Sequence, residues 1–441
     1  MVAINRSKRQ VILPAVLLAV GTLALCHVLQ WAVGTAFSVP VSGAPRHQLP
    51  QQVGLKPASA ASFAGVAQPA TPKVAFATES DIEEHDQLAA KPGMIVAATA
   101  LAAVAMAAEA SSSEESAEES AEESGFAKVW SAVKLPVYVC LWYFFNVQYN
   151  IQNKLLLKAF DASMAVSWIQ MAAGIPIAGL MWMTGLLKKP KVTAGELAKL
   201  APVGAAFAGG QVATVASLGA VAVSFTHVVK ALEPAVNAVA SAFLLGQVFH
   251  PLVYCSLLPV FAGVALASAS ELSFTAFGFA TAMASNFFFV TRNVLATKFG
   301  SVGDMGEDAT TRKTNQLAVL TAVATAVLLP LALLAPGGLL AMPAAWAKAM
   351  KAGVAKDTLL WLMASSGFHF FMYQMSSFWV LSCVPPITHS VLNTLKRVVI
   401  IVMSIIVFRT PVTAQGLAGT GIAIGGVLLY SLTKAHFSKK K

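Results

Sequence analysis

The sequence predicts an all-α membrane protein: ten transmembrane helices in two inverted five-helix repeats, preceded by a disordered targeting leader. Three observations carry that expectation. Of the 441 residues, 57% are hydrophobic and only 11% charged, and mean hydropathy is +0.69, whereas soluble domains carry roughly a quarter charged residues. From Gly125 onward the chain is a succession of apolar stretches parted by polar, Pro or Gly breaks. Finally, similar strings recur in the two halves of that region.

The leader falls into two parts. Residues 1–36 open with Arg6, Lys8 and Arg9, continue through an apolar run from Val11 to about Leu29, and end at the small residues Gly34 and Ala36. This is the pattern of a secretory signal peptide, with a retained anchor helix as the alternative. Cleavage after Ala36 exposes Phe37, a start that resembles the two-part leaders of complex plastids in algae with secondary plastids. Residues 37–125 are rich in Ala, Ser, Pro and Gln and show no helical period. Two acidic clusters, Glu79 to Asp86 and Ser111 to Ser124, read as a solvated, disordered spacer in a transit-peptide-like region. Between them, Met94 to Ala108 is apolar but short for a span.

Residues 126–441 form the expected membrane domain. Its spans are read as 133–155, 160–186, 198–219, 221–246, 250–270, 274–297, 315–336, 358–383, 386–408 and 411–434. The breaks hold Lys188 to Lys191, the polar loop from Gly303 to Asn315, and Pro336-Gly337-Gly338. Twelve of the twenty acidic residues precede Gly125, against seven of the thirty basic ones, so the membrane region is strongly basic. Several of those bases flank spans and serve orientation. They are not clustered on a soluble module, which argues against a nucleic-acid partner and leaves the lipid bilayer as the surrounding medium.

An internal repeat is legible. Thr226-His227 opens the fourth span and Thr388-His389 the ninth; each is followed by a charged mid-span stretch and a Pro-containing break. A Gly-Val-x-Leu-x-Ser string then begins at Gly263 in one half and Gly426 in the other, 37 and 38 residues after the Thr. Five spans per half require the halves to enter the membrane in opposite orientations. Such a pair places its binding site near the midplane, between the halves.

The charges in those two spans define the candidate site. Lys396 and Arg397 sit mid-span, with about eleven residues of the stretch from Pro385 to Phe408 on either side. A cation at that depth costs at least a few kcal/mol and marks function. In span four, Lys230 and Glu233 stand three residues apart on one helical face, followed by Pro234. Two readings stay open there: a structural Lys230–Glu233 pair, or a Lys230 that faces a cavity with Lys396 and Arg397. The second suits a phosphate, because Arg offers a planar fork and Lys a compact charge. Three bases in low dielectric repel one another unless an anion sits between them. The empty site therefore resists closure, and obligatory exchange follows.

Other polar residues are weaker candidates. Lys154 ends the first span beside Asn153 and is either a snorkelling base or a gate; Arg292 near the end of span six is a flank residue or a gate. His227 and His389 stand at span starts, where capping is the commoner role. Cys26, Cys140, Cys255 and Cys383 stand alone in apolar stretches and offer no disulfide framework. No metal-ligand spacing, catalytic constellation or Gly-rich phosphate loop is present in the sequence, so neither a cofactor nor an enzyme is expected.

Three strings carry a family resemblance: VAVSFTHVVKALEP from Val221 to Pro234, ITHSVLNTLKRVVIIV from Ile387 to Val402, and WYFFNVQYNIQNK from Trp142 to Lys154. They resemble the plastid phosphate translocators, the triose-phosphate, phosphoenolpyruvate and hexose-phosphate exchangers of the drug/metabolite transporter superfamily. The resemblance covers Val129 to Lys434. It implies ten helices in two inverted halves, a plastid envelope location, and strict exchange of inorganic phosphate for a phosphorylated metabolite. By position, Lys230, Lys396 and Arg397 would hold the phosphate, while Thr214 and Tyr373 would contact the rest of the substrate. Gln211 stands where the triose-phosphate carriers typically have His, which keeps triose phosphate, 3-phosphoglycerate and phosphoenolpyruvate all in play. A Golgi nucleotide-sugar transporter of the same superfamily is the competing reading; it is not expected to carry the Lys396-Arg397 pair.

Overall fold

The computed structural model describes residues 125–299 and 302–438. The expected signal peptide, and all but the last residue of the spacer, lie outside these residues. Fourteen α-helices follow one another: α1 (Gly125–Ala159), α2 (Ser163–Ala172), α3 (Gly174–Met183), α4 (Ala194–Ala220), α5 (Val223–Lys230), α6 (Glu233–Leu245), α7 (Pro251–Cys255), α8 (Leu258–Ala269), α9 (Ala276–Phe299), α10 (Ala309–Leu334), α11 (Met342–Lys351), α12 (Lys356–Cys383), α13 (Pro386–Phe408) and α14 (Ala414–Ser438). Among the described residues there is no strand, only an isolated antiparallel bridge between Lys191 and Asp304.

Among the described residues, six helical segments are long and apolar enough to cross a membrane: Ser163–Met183, Ala194–Ala220, Pro251–Ala269, Ala309–Leu334, Thr388–Phe408 and Ala414–Phe437. Helices α1, α9 and α12 are longer than 20 residues but carry buried polar side chains, among them Asn146, Asn150, Asn286 and Gln374. In a bilayer such groups must point inward to protein, so lower hydropathy marks the lining of an interior. Large apolar side chains cover the outside instead, including Leu180, Phe243, Phe287 and Trp361.

Local signals set the helix ends. Thr193 and Glu196 form a reciprocal capping box at the start of α4, and Asp308 accepts the Thr311 amide at the start of α10. At the end of α6, Gly246 adopts φ 65°, a left-handed turn that costs a side chain but not glycine. Helix α10 begins six residues earlier than the sequence reading, because that Asp308 cap lies inside the polar loop. The stretches read as single spans at 160–186, 221–246 and 250–270 are each two helices, parted near Ala173, Ala231 and Ser256. The short helix α11, unforeseen in the sequence, packs Trp346 and Met350 against a core of Leu156, Phe160 and Leu359.

Two buried clusters hold the site between them. One joins Val229, Ala235, Val260 and Ala423 from α5, α6, α8 and α14; the other joins Tyr149, Phe207, Ala324 and Phe370 from α1, α4, α10 and α12. Helices α8 and α14 meet nearly backbone to backbone. A Cβ on Gly419 would lie 2.5 Å from the Ala267 amide nitrogen, and one on Gly426 2.8 Å from that of Val260. Lipid tails are as apolar as leucine, so small residues and close packing replace the hydrophobic effect as the force joining helices here. The Gly263 and Gly426 strings thus mark a packing seam.

Replacing Gly419 with Leu should lower the melting temperature in detergent, with an overpacking cost of about 1–3 kcal/mol or more. Gly421→Leu, two residues along, should be tolerated because nothing lies within 4 Å of its Cβ position. Equal melting of the two variants would refute the seam.

Candidate functional site

The site is built around the break between α5 and α6. Pro234 has no amide proton to give the Lys230 carbonyl four residues earlier. The chain tightens there: the Ala231 amide reaches the Val228 carbonyl at 3.0 Å and Leu232 reaches Val229 at 3.1 Å, bonds of the 3₁₀ type. Asn286 of α9 donates its side-chain amide to the Val229 carbonyl at 3.1 Å, covering the end of α5. Lys230 therefore closes one helix and Glu233 opens the next.

Their partners differ from the local i, i+3 pairing. The Lys230 ammonium donates to Thr214 Oγ1 at 3.0 Å and Ser285 Oγ at 2.9 Å, and stands 4.8 Å from the centre of the Phe289 ring. Glu233 instead makes its ion pair across the interior with Arg397 of α13. The reading in which Lys230 and Glu233 satisfy one another is thus replaced by two separate attachments, because the break turns the two side chains toward different neighbours. Arg397 is buried, and its Nη1 has no partner.

Lys396 is held by ring faces. Its ammonium lies 4.8 Å from the centre of the Trp142 ring and 6.0 Å from that of Tyr373, which attracts the charge without neutralising it. Helix α13 is fixed one turn earlier by the Tyr143 hydroxyl, which donates to the Leu392 carbonyl at 2.6 Å. Arg292 of α9 lies over Phe207 and Phe289, 5.2 and 5.4 Å from the ring centres. Its guanidinium donates to the neighbouring Asn293 side chain. Lys230 and Arg292 share the Phe289 ring, and Lys396 adjoins Arg397, which holds the Glu233 carboxylate. These neighbouring elements bring together four cations and one carboxylate, a surplus that invites a further anion.

Beside this cluster runs a buried amide network. Gln211 donates to the Tyr149 hydroxyl at 2.9 Å and to Gln170 Oε1 at 2.8 Å. Gln170 passes the chain on to Asn153 Oδ1 at 2.9 Å. The Tyr149 ring packs against Tyr373, with centres 5.2 Å apart, so the network touches the aromatic wall around Lys396. Thr214 stands three residues beyond Gln211 on α4 and donates to the Gly210 carbonyl while accepting from Lys230.

Lys154 has another task. Its ammonium donates to the Leu218 and Val221 carbonyls at 2.6 and 2.8 Å, capping the negative end of α4. The expectation of capping histidines is not met. His227 hydrogen-bonds Asn150 Oδ1 at 2.9 Å; His389 bonds Ser377 and stacks on Trp142, ring centres 4.8 Å apart. Sequence reasoning missed Trp142, Tyr149, Gln170, Ser285 and Phe289. The available signal was the interruption of apolar runs by Ser285-Asn286 and by Gln170, which gains weight only once the facing helix is known.

The chain matches the Triose-phosphate Transporter family model over residues 133–431. Among curated proteins it is 40% identical over 301 residues to phosphoenolpyruvate/phosphate translocator 1, chloroplastic, of Oryza sativa subsp. japonica, covering 68% of this chain and 72% of that one. It is 39% identical over 317 residues to the triose phosphate/phosphate translocator, non-green plastid, chloroplastic, of Brassica oleracea var. botrytis, with 72% and 77% covered. Glucose-6-phosphate/phosphate translocator 1, chloroplastic, of Arabidopsis thaliana is 37% identical over 305 residues, with 68% and 76% covered. With a family match over more than half its length and relatives of this similarity, the chain belongs to the Triose-phosphate Transporter family.

Proposed function

We propose that this protein is an antiporter that exchanges inorganic phosphate for a phosphorylated three-carbon metabolite across a plastid envelope membrane by alternating access. The observation that carries the reading is Arg397, held to Glu233 by one arm with Nη1 buried and unpaired, beside Lys396 and Lys230, which rest on ring faces and hydroxyls without an ion pair among the described residues. A phosphate dianion supplies what the cluster lacks: two charges and several acceptor oxygens. Lys230, Lys396 and Arg397 are its proposed ligands. Thr214, Gln211 and Tyr373 border the space for the carbon skeleton, and Arg292 and Glu233 flank it. The relatives' names support phosphate as the common counter-substrate; they span triose phosphate, phosphoenolpyruvate and glucose 6-phosphate at nearly equal identity. A carrier needs no catalytic constellation, so an enzymatic role is not proposed.

The proposed architecture is ten spans in two inverted halves. Helix α1, the α2–α3 pair, α4, the α5–α6 pair and the α7–α8 pair make one half; α9, α10, α12, α13 and α14 make the other. Helix packing supports this. First packs on eighth and third on sixth, second on seventh, fourth on ninth, and fifth on tenth, each a pairing that survives exchange of the halves. The site then lies between spans four and nine, where alternating access works by rocking one half on the other. The leader, residues 1–36 followed by 37–125, is proposed to route residues 126–441 to the envelope of a complex plastid.

Proteoliposomes carrying residues 126–441 should take up phosphate only when preloaded with phosphate or a phosphorylated three-carbon compound. Net efflux without external counter-substrate, at rates near exchange, would argue for a channel or uniporter. Ranking internal dihydroxyacetone phosphate, 3-phosphoglycerate, phosphoenolpyruvate and glucose 6-phosphate should place the three-carbon compounds above the hexose. In the same assay, Lys396→Ala or Arg397→Ala should cut exchange at least about a hundredfold, the loss expected when a buried charged contact is truncated. Normal exchange in both variants, at equal protein content, would remove the pair from the site.

A further inference from the structure

Glu233 stands apart from the other acids. It lies at the break between α5 and α6 and pairs with the buried Arg397, whereas Asp161, Asp304, Glu307, Asp308 and Asp357 are exposed. It engages Arg397 through one oxygen only, Oε2 to Nη2, and the other arm of the fork, Nη1, is buried without a partner. A permanent brace between guanidinium and carboxylate normally closes both arms. A second guanidinium, that of Arg292, shares the Phe289 ring with Lys230. Arg292 holds the Asn293 amide and two ring faces.

We propose that Glu233 is a resident counter-anion that an incoming phosphate displaces from Arg397, the freed carboxylate passing to Arg292. This rests on the phosphate-carrier reading above. The step is an exchange of ion pairs: no covalent bond forms or breaks. Before it, Arg397 is paired with a monoanion by one hydrogen bond, and Lys230 and Lys396 are held by hydroxyls and ring faces. After it, phosphate oxygens occupy both arms of Arg397 and both ammonium groups, and Glu233 covers the remaining guanidinium. No cation of the set loses a partner during the swap, so the desolvated site avoids the penalty of a bare buried charge. The return of Glu233 to Arg397 then assists release, which keeps the site from trapping its ligand.

The test uses the full chain in proteoliposomes with inorganic phosphate as the probe. Glu233→Gln should lower the half-saturating phosphate concentration about tenfold and slow turnover by a similar factor, because the competitor is gone. In detergent without phosphate the same variant should melt below wild type, and saturating phosphate should recover more of that loss than it adds to wild type. Arg292→Gln should raise half-saturation several-fold, while in the Glu233→Gln background it should change nothing further. That non-additivity separates a switch from two charges acting independently through their field. An Arg292→Gln effect that persists at full size in the double variant would overturn the proposal, as would unchanged or weaker phosphate affinity in Glu233→Gln. Should Glu233→Gln fail to insert, Glu233→Asp replaces it: the shortened side chain should also lower half-saturation and shrink the Arg292→Gln effect, and neither change occurring counts against the switch. A wild-type protein with no phosphate exchange would sink the functional reading itself, and this inference with it.

Discussion

Everything near the middle of this molecule answers to one constraint: positive charge held in low dielectric with too little negative charge beside it. Burying one ion costs several kcal/mol even after relaxation, and removing one partner of a buried pair exposes that cost. The structure disperses the charge in three ways. Lys230 rests on the neutral hydroxyls of Thr214 and Ser285, Lys396 and Arg292 rest on aromatic faces, and Arg397 takes the one carboxylate. Hydroxyl dipoles and ring quadrupoles attract a cation while leaving its charge uncancelled. The cluster therefore keeps more positive than negative charge, the condition that the proposed phosphate site requires.

This constraint reaches outward into the packing. Aromatic residues concentrate around the cluster, with Trp142, Tyr149, Phe207, Phe289, Phe370 and Tyr373 drawn from α1, α4, α9 and α12. Small residues concentrate at the α8–α14 seam, where no charge needs shelter and close backbone approach is the only available adhesive. The two regions divide the labour. The seam provides a rigid contact that buries little polar surface, and the aromatic wall provides a low-dielectric lining for mobile ions. A carrier that rocks between two faces needs both kinds of surface.

The sequence made parts of this plain and hid others for identifiable reasons. Lys396 and Arg397 were legible because charge placed mid-span is expensive, and that cost does not depend on which helix lies opposite. The helical fold was legible from hydropathy, although α1, α9 and α12 score lower because the residues lining the interior are polar. The partner of Glu233 was not legible. Spacing pointed to Lys230, and only the loss of helical register at Ala231 and Leu232 sends the carboxylate to Arg397 instead. The Gln211–Gln170–Asn153 network was hidden for a different reason: its members come from three helices, and a lone amide in an apolar run gives no hint of its partner.

Helix α13 and the α5–α6 pair, which pack on one another, differ in kind. Helix α13 runs unbroken from Pro386 to Phe408 and carries Lys396 and Arg397 on a continuous rod, anchored by Tyr143 one turn before them. The fourth span is broken at the same depth, and the break sets Lys230 and Glu233 on separate helices. A rod presents its cations at a constant spacing, whereas a break lets the two charges beside it move with different helices. On the proposed reading, α13 supplies the fixed part of the anion site and the α5–α6 break the part that can rearrange around the ligand. The difference originates at Pro234, which removes the amide that would continue the helix past Lys230, so in the proposed exchange the charges on α13 stay in place while those at the break can follow the ligand.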